Sequence, residues 1–172
     1  MISLYDVSVA AYLQTLPAIG VLLARGLDHC RENGIDPDEV VDWRLSADMH
    51  PFGFQVQSVV HYSLGAIEAV RTGALHMPGD RPQHDYAGLQ ALIDEAIKSL
   101  RNLTPEEINT RVGADVTFVA RGRRRTSTAE GFVISVSLPN LHFRATGAYD
   151  ILCSKGVSIR HLDYIGALRL KE

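Results

Sequence analysis

Apolar residues recur at helical spacing over most of the chain. From Val7 to about Arg31, Tyr12, Leu13, Leu16, Ile19, Leu23 and Leu27 mark one face, which predicts a long helix. Ser3 or Asp6 is placed to cap its start, and Pro17 is expected to kink it or mark its N-terminal break. Gly34 suits the left-handed position just past its end. Asp36-Pro37 reads as an N-cap with proline at the first helical position, opening a short helix to about Trp43. A second long helix is expected from near Pro51 to about Thr72, with Phe52, Val56, Val59, Val60, Ile67 and Val70 inward and Gly73 as its stop. Met77 to Pro82 is rich in turn residues and reads as a loop. A third helix follows from Tyr86 to Asn102, then a short one opened by Thr104-Pro105, with Glu107 completing a capping box.

The pattern changes once. Asp115 to Ala120 alternates and is β-branched, Gly122 begins a turn, and Arg124 to Thr128 returns, so a hairpin is predicted. Phe132 to Leu138 fits either strand or helix. Pro139-Asn140 opens a last long helix to about Ser154, closed by Gly156, and the tail from Val157 has room for a short helical turn. Four long amphipathic helices bury their stripes most economically on one another. The expected fold is therefore all-α: a four-helix bundle, one domain over residues 1–172, with a small β-hairpin between helices three and four.

Composition narrows the function classes. The chain has 172 residues, 46% hydrophobic and 22% charged, which suits a globular domain and excludes disorder as its main state. A net charge of −3 gives no basic field to gather nucleic acid. The only basic run, Arg121 to Arg125, lacks interleaved aromatics and reads as a solvated turn. Cys30 and Cys153 are too few for a disulfide framework, and no CxxC occurs. The first residues lack a basic segment followed by an apolar one, so no signal peptide is expected. The apolar stretch Leu16 to Ala24 is shorter than a membrane span. The expectation is a cytoplasmic protein with neither nucleic acid nor membrane as partner.

Candidate chemistry rests on a few residues. None of the seven histidines sits in HExxH or HxxxH, so a metal would need ligands from different helices. His50, His61 and His142 are the candidates, with His61 on a stripe with Gln57, Leu64 and Glu68. A histidine holding one structural hydrogen bond is the plainer account of each. Arg144 is the least ordinary residue. It lies on the apolar stripe of the last helix with Leu141, Ala145 and Ala148. A buried guanidinium needs a carboxylate or a bound anion, unless it snorkels to a helix end. Asp48 and Asp80 are candidate general bases, though loop carboxylates commonly serve as caps. Cys153 sits near a helix C-terminus, the negative end of the helix dipole, and is not a candidate nucleophile. Phosphate loops, dinucleotide fingerprints and GxSxG are absent.

Three stretches carry a family resemblance: Ser3 to Val9, Leu45 to Gln57 (LSADMHPFGFQVQ), and Leu138 to Val157 (LPNLHFRATGAYDILCSKGV). Their order and content resemble the domain-of-unknown-function branch of the DinB/YfiT-like putative metalloenzyme superfamily. The resemblance implies an antiparallel four-helix bundle and a homodimer. It also implies a divalent metal held by three histidines from two helices, with thiol-dependent transfer or isomerisation in some members. Val9, Leu22 and Leu23 on the first helix are taken as apolar residues left over for the dimer contact.

The sequence departs from the pattern at the metal. Where branch members carry a histidine after Pro-Asn-aromatic-x-Phe, this chain has Arg144, and the aligned positions of the second helix are His61 and Leu64. The positions carried over are Asp48, His61 and Arg144. With Gln57 and Tyr149 they form the candidate ligand-binding set. A cation at Arg144 favours an anion over a metal. Three readings follow. One is an interhelical pocket for a small anionic or thiol ligand, with a degenerate metal site and no cofactor. The second is a metal-dependent thiol transferase or isomerase holding zinc or nickel through His50, His61 and His142. The third is a structural dimeric module with Arg144 paired internally.

Overall fold

The computed structural model describes residues 2–76 and 82–170. The predicted loop from Met77 falls largely on 77–81, and Asp80 with it, outside the described residues. The protein is mostly helical with one two-stranded antiparallel sheet.

The first helical run is α1 (Leu4–Val7) followed by α2 (Val9–Asn33). Ser3 caps α1 in a capping box with Asp6. The break falls at Ser8 and α2 continues through Pro17, so of the two roles expected of the proline, kink or break, it does not take the second. The cause is the Ser8 hydroxyl, which donates to the Leu4 carbonyl at 2.6 Å while its backbone leaves helical geometry (φ −111°, ψ −88°). Gly34, in the left-handed region at φ 66°, ends α2. The run Leu4–Asn33 is long and apolar enough to cross a membrane by length and composition, which the shorter apolar stretch had not suggested. Half of its most apolar window is buried inside the protein.

Asp36 caps α3 (Pro37–Val41). The second long helix is split into α4 (Phe52–His61) and α5 (Leu64–Thr72). The split repeats the device at Ser8: Ser63 donates its hydroxyl to the Val59 carbonyl at 2.8 Å, with φ −113° and ψ −81°. His61 therefore ends α4 instead of lying in mid-helix. Asp85 caps α6 (Tyr86–Arg101), and Thr104 caps α7 (Pro105–Asn109).

The hairpin pairs β1 (Asp115–Ala120) with β2 (Arg123–Thr128) in antiparallel register, Phe118 opposite Arg125. Arg123, Arg124 and Arg125 are exposed. After α5 the chain lies along β1, where Thr117 exchanges bonds with Gly73 and Leu75 at 2.8 Å each. The ambiguous stretch is helical: α8 (Ala129–Phe132), a π-helical turn (Val133–Ser137), then α9 (Leu138–Ser154). A last short helix, α10 (His161–Ile165), packs on α2.

One apolar cluster runs from Leu4 to Val157 and joins α2, α4, α5, α6 and α9. Val9, Leu22 and Leu23 belong to it and are at most 1% exposed. They are consumed by the chain's own core, so they are not the left-over apolar surface expected of them. Deep in the cluster, three helical elements meet through one serine. Ser137 donates to the Tyr62 carbonyl at 2.6 Å, and the Tyr12 hydroxyl lies 2.5 Å from Ser137 Oγ. Since the serine's proton is spent on Tyr62, Tyr12 is the donor of the second bond.

Candidate ligand site between α4 and α9

Tyr62 lies over Ser137 and Gln55 over Gly147, so α4 and α9 run antiparallel. Gly147 permits the close approach: a Cβ there would stand 3.3 Å from the Gln55 amide. Gln55 is only 3% exposed and its amide is fully oriented. Nε2 donates to the His50 carbonyl at 3.1 Å, which turns Oε1 toward α9. There it accepts from Arg144 Nη1 at 3.4 Å.

Arg144 is half-buried on α9. Its guanidinium carbon stands 5.1 Å from the Phe54 ring centre and 5.2 Å from that of Phe143. Each such contact is worth about 0.5–2 kcal/mol, depending on desolvation. Arg144 pairs with no carboxylate among the described residues, and its Nε is buried without a hydrogen bond. Phe54 is shared, because the His50 imidazole also stacks on it at 3.8 Å. His61, one turn beyond Ser58 on α4, is half-buried and meets Tyr62 edge-on at 4.9 Å.

The other sequence candidates lie elsewhere. Asp48 is exposed in the turn before α4, where the Ser46 hydroxyl donates to it and holds its carboxyl below the usual carboxylate range. Gln57 lines a groove of about 450 Å³ with Asp38, Asp42, His84 and Asp85, which Phe54 borders from the Arg144 side. Tyr149 turns toward α10, its ring 6.0 Å from Tyr164 in a T-shaped contact. A hydrogen bond with Cys153 pushes its phenol pKa up. His142 lines a pocket of about 620 Å³ with Thr15, Leu138, Tyr164 and Arg169. Desolvation there lowers its pKa.

The family resemblance implies a divalent metal, and the described residues do not suit one. Among the described residues no three His, Cys, Asp or Glu side chains converge on a point. His142 faces the α2–α10 pocket, while His50 packs on Phe54 before α4. A structural or catalytic metal needs at least three protein donors in fixed geometry. What the seam offers is a cation with donors to spare, a buried amide and two aromatic rings. Sequence reasoning found Arg144 but missed Phe54, Gln55, Phe143 and Gly147. The signal for two of them was present in the Phe-Gly-Phe-Gln run that opens α4.

Comparison with known proteins agrees with this architecture. Residues 4–165 match the family model of a domain of unknown function, DUF1993. No curated protein matches the chain. Among solved structures, the crystal structure of a DinB family member protein from Shewanella denitrificans superposes with a TM-score of 0.80 at 24% identity. That match covers 98% of this chain and 95% of the other. The chain belongs to the DUF1993 family, a domain of unknown function with a DinB/YfiT-like fold.

Proposed function

We propose that this chain is a small-molecule-binding protein whose long helices form a single four-helix-bundle domain. In this reading, Arg144 receives the anionic group of a ligand where related bundles hold a metal. The hairpin between α6 and α9 is an addition to that bundle. The observation that carries the reading is the state of Arg144. Among the described residues, this half-buried guanidinium has a buried, unbonded Nε and one hydrogen bond, to an amide at 3.4 Å, so it is incompletely satisfied. An unmade bond to a charged buried group costs about 1–3 kcal/mol or more, and a carboxylate or phosphate oxygen recovers it. Phe54 and Phe143 supply apolar contact for the rest of the ligand.

A ligand that binds only the folded state raises stability, by about 2.7 kcal/mol at a hundredfold excess over its dissociation constant. The test is therefore thermal unfolding against a panel of small carboxylates, phosphates and thiols, on the native chain and on Arg144→Gln. The expected result is a higher melting temperature for one anionic class in the native chain, absent in the variant. No stabilisation by any member, or equal stabilisation of both proteins, contradicts the reading.

A further inference from the structure

We propose that the outer edge of β2 is a docking site for an extended acidic segment of another protein, which adds to the hairpin as a third strand. The far side of β1 is already covered, because Thr117 exchanges its backbone bonds with Gly73 and Leu75. Thr117 and Thr126 are register partners. In an antiparallel pair, directly opposed residues either bond each other or both point away. Thr117 points away from β2, so Thr126 turns its N–H and C=O away from β1, and Arg124, two residues earlier, does the same. Beyond the hairpin's own ladder, no backbone bond among the described residues involves either one, and both are exposed. Arg121 (φ 52°) and Gly122 (φ 69°) close the hairpin in two left-handed residues that match the twist of its strands. The edge is therefore set in register before a partner arrives.

The side chains define the occupant. Arg121, Arg123, Arg124 and Arg125 are exposed and form no ion pair among the described residues. The residues opposite the last three, Ala120, Val119 and Phe118, are uncharged. Arg123 and Arg125 project to one face of the hairpin and Arg124 to the other. Acids at alternate positions of an added strand are thus set against Arg123 and Arg125. On the other face Thr126 and Val119, which is 57% exposed, suit β-branched residues between those acids. Charges on an edge strand oppose its pairing with itself, and β2 carries no carboxylate to offer a second copy. A nucleic acid would meet the charges but makes no use of strand-spaced backbone groups. The run from Arg121 to Thr128 also holds no aromatic on which a base could stack.

The test is fluorescence anisotropy of a labelled peptide that alternates glutamate with valine, at low ionic strength. Saturable binding is expected, weakening as salt is added. Arg123→Glu combined with Arg125→Glu should weaken it about tenfold or more, since two attractions become repulsions. Thr126→Pro keeps every charge and every backbone bond of the hairpin and deletes only an outward N–H. It should also weaken binding about tenfold, which charge attraction alone would not do. N-methylating the peptide at the alternate residues that face β2 leaves its charge intact and should abolish binding to the unaltered protein. No binding of the peptide, or binding indifferent to the arginine reversals or to N-methylation, overturns the proposal. So does tighter binding of a single-stranded oligonucleotide that ignores Thr126→Pro, which would assign the arginines to phosphate.

Discussion

Replacing Ser137 by alanine removes a single oxygen, yet that oxygen joins α2, the α4–α5 break and the start of α9. Tyr12 is fully buried and its hydroxyl donates only to Ser137 Oγ, at 2.5 Å. In Ser137→Ala that hydroxyl is orphaned in an apolar core, at a cost of about 1–3 kcal/mol. The Tyr62 carbonyl also loses its 2.6 Å donor, worth about 0.5–1.5 kcal/mol net. The expected destabilisation is about 2–4 kcal/mol, a large share of the total for a domain of this size. Tyr12→Phe should cost less, because Ser137 keeps its bond to Tyr62. Adding Tyr12→Phe to Ser137→Ala removes the orphaned hydroxyl, so the double variant should be more stable than the sum of the two singles allows, by about 1 kcal/mol. Urea unfolding followed by circular dichroism measures all three, with an unchanged slope marking a change in stability alone. Ser137→Ala within about 0.5 kcal/mol of the native chain, or strict additivity in the double variant, refutes the reasoning.

Two other outcomes follow from buried tyrosines. Burial pushes the Tyr12 and Tyr86 phenols up, so the unfolded chain ionises them first as pH rises. Their contribution is whole below the unfolded value and is lost as pH climbs above about 10, so alkaline urea curves should shift to lower midpoints, less so in Tyr12→Phe; a flat profile would contradict this. Gly26→Ala drives a methyl group into the Tyr86 hydroxyl, which donates to the Leu23 carbonyl at 2.7 Å. It should cost about 1–3 kcal/mol, partly recovered by adding Tyr86→Phe, and an unchanged urea midpoint would show that the contact relaxes freely.

The helices were legible where period and caps agree. Asp36-Pro37 and Thr104-Pro105 mark their starts, and Gly34 and Gly73 mark their ends. The breaks at Ser8 and Ser63 were not legible, because a serine in an apolar run reads as one more tolerated residue. At both breaks the serine hydroxyl bonds the carbonyl four residues back while its backbone leaves helical geometry, which only the structure shows. Pro17 does not end the helix, because core packing along α2 outweighs one missing backbone bond. The stretch from Phe132 to Leu138 is β-branched, but it is held helical between α8 and α9 by the Tyr12–Ser137–Tyr62 bonds. At the candidate site, Arg144 stood out because its charge interrupts an apolar stripe. Gln55 and Gly147 did not, since their roles exist only across the α4–α9 contact.

The proposed function turns on the cation Arg144 standing where the resemblance implies a metal-binding histidine. A guanidinium beside the site opposes a divalent ion by several kcal/mol at about 4 Å and moderate screening. Elemental analysis by plasma mass spectrometry, on native protein purified without chelator or added metal, tests this directly. The prediction is that zinc, nickel and manganese are all well below one per chain. One tightly held metal per chain, lost in His61→Ala, would contradict it and return the site to metal chemistry.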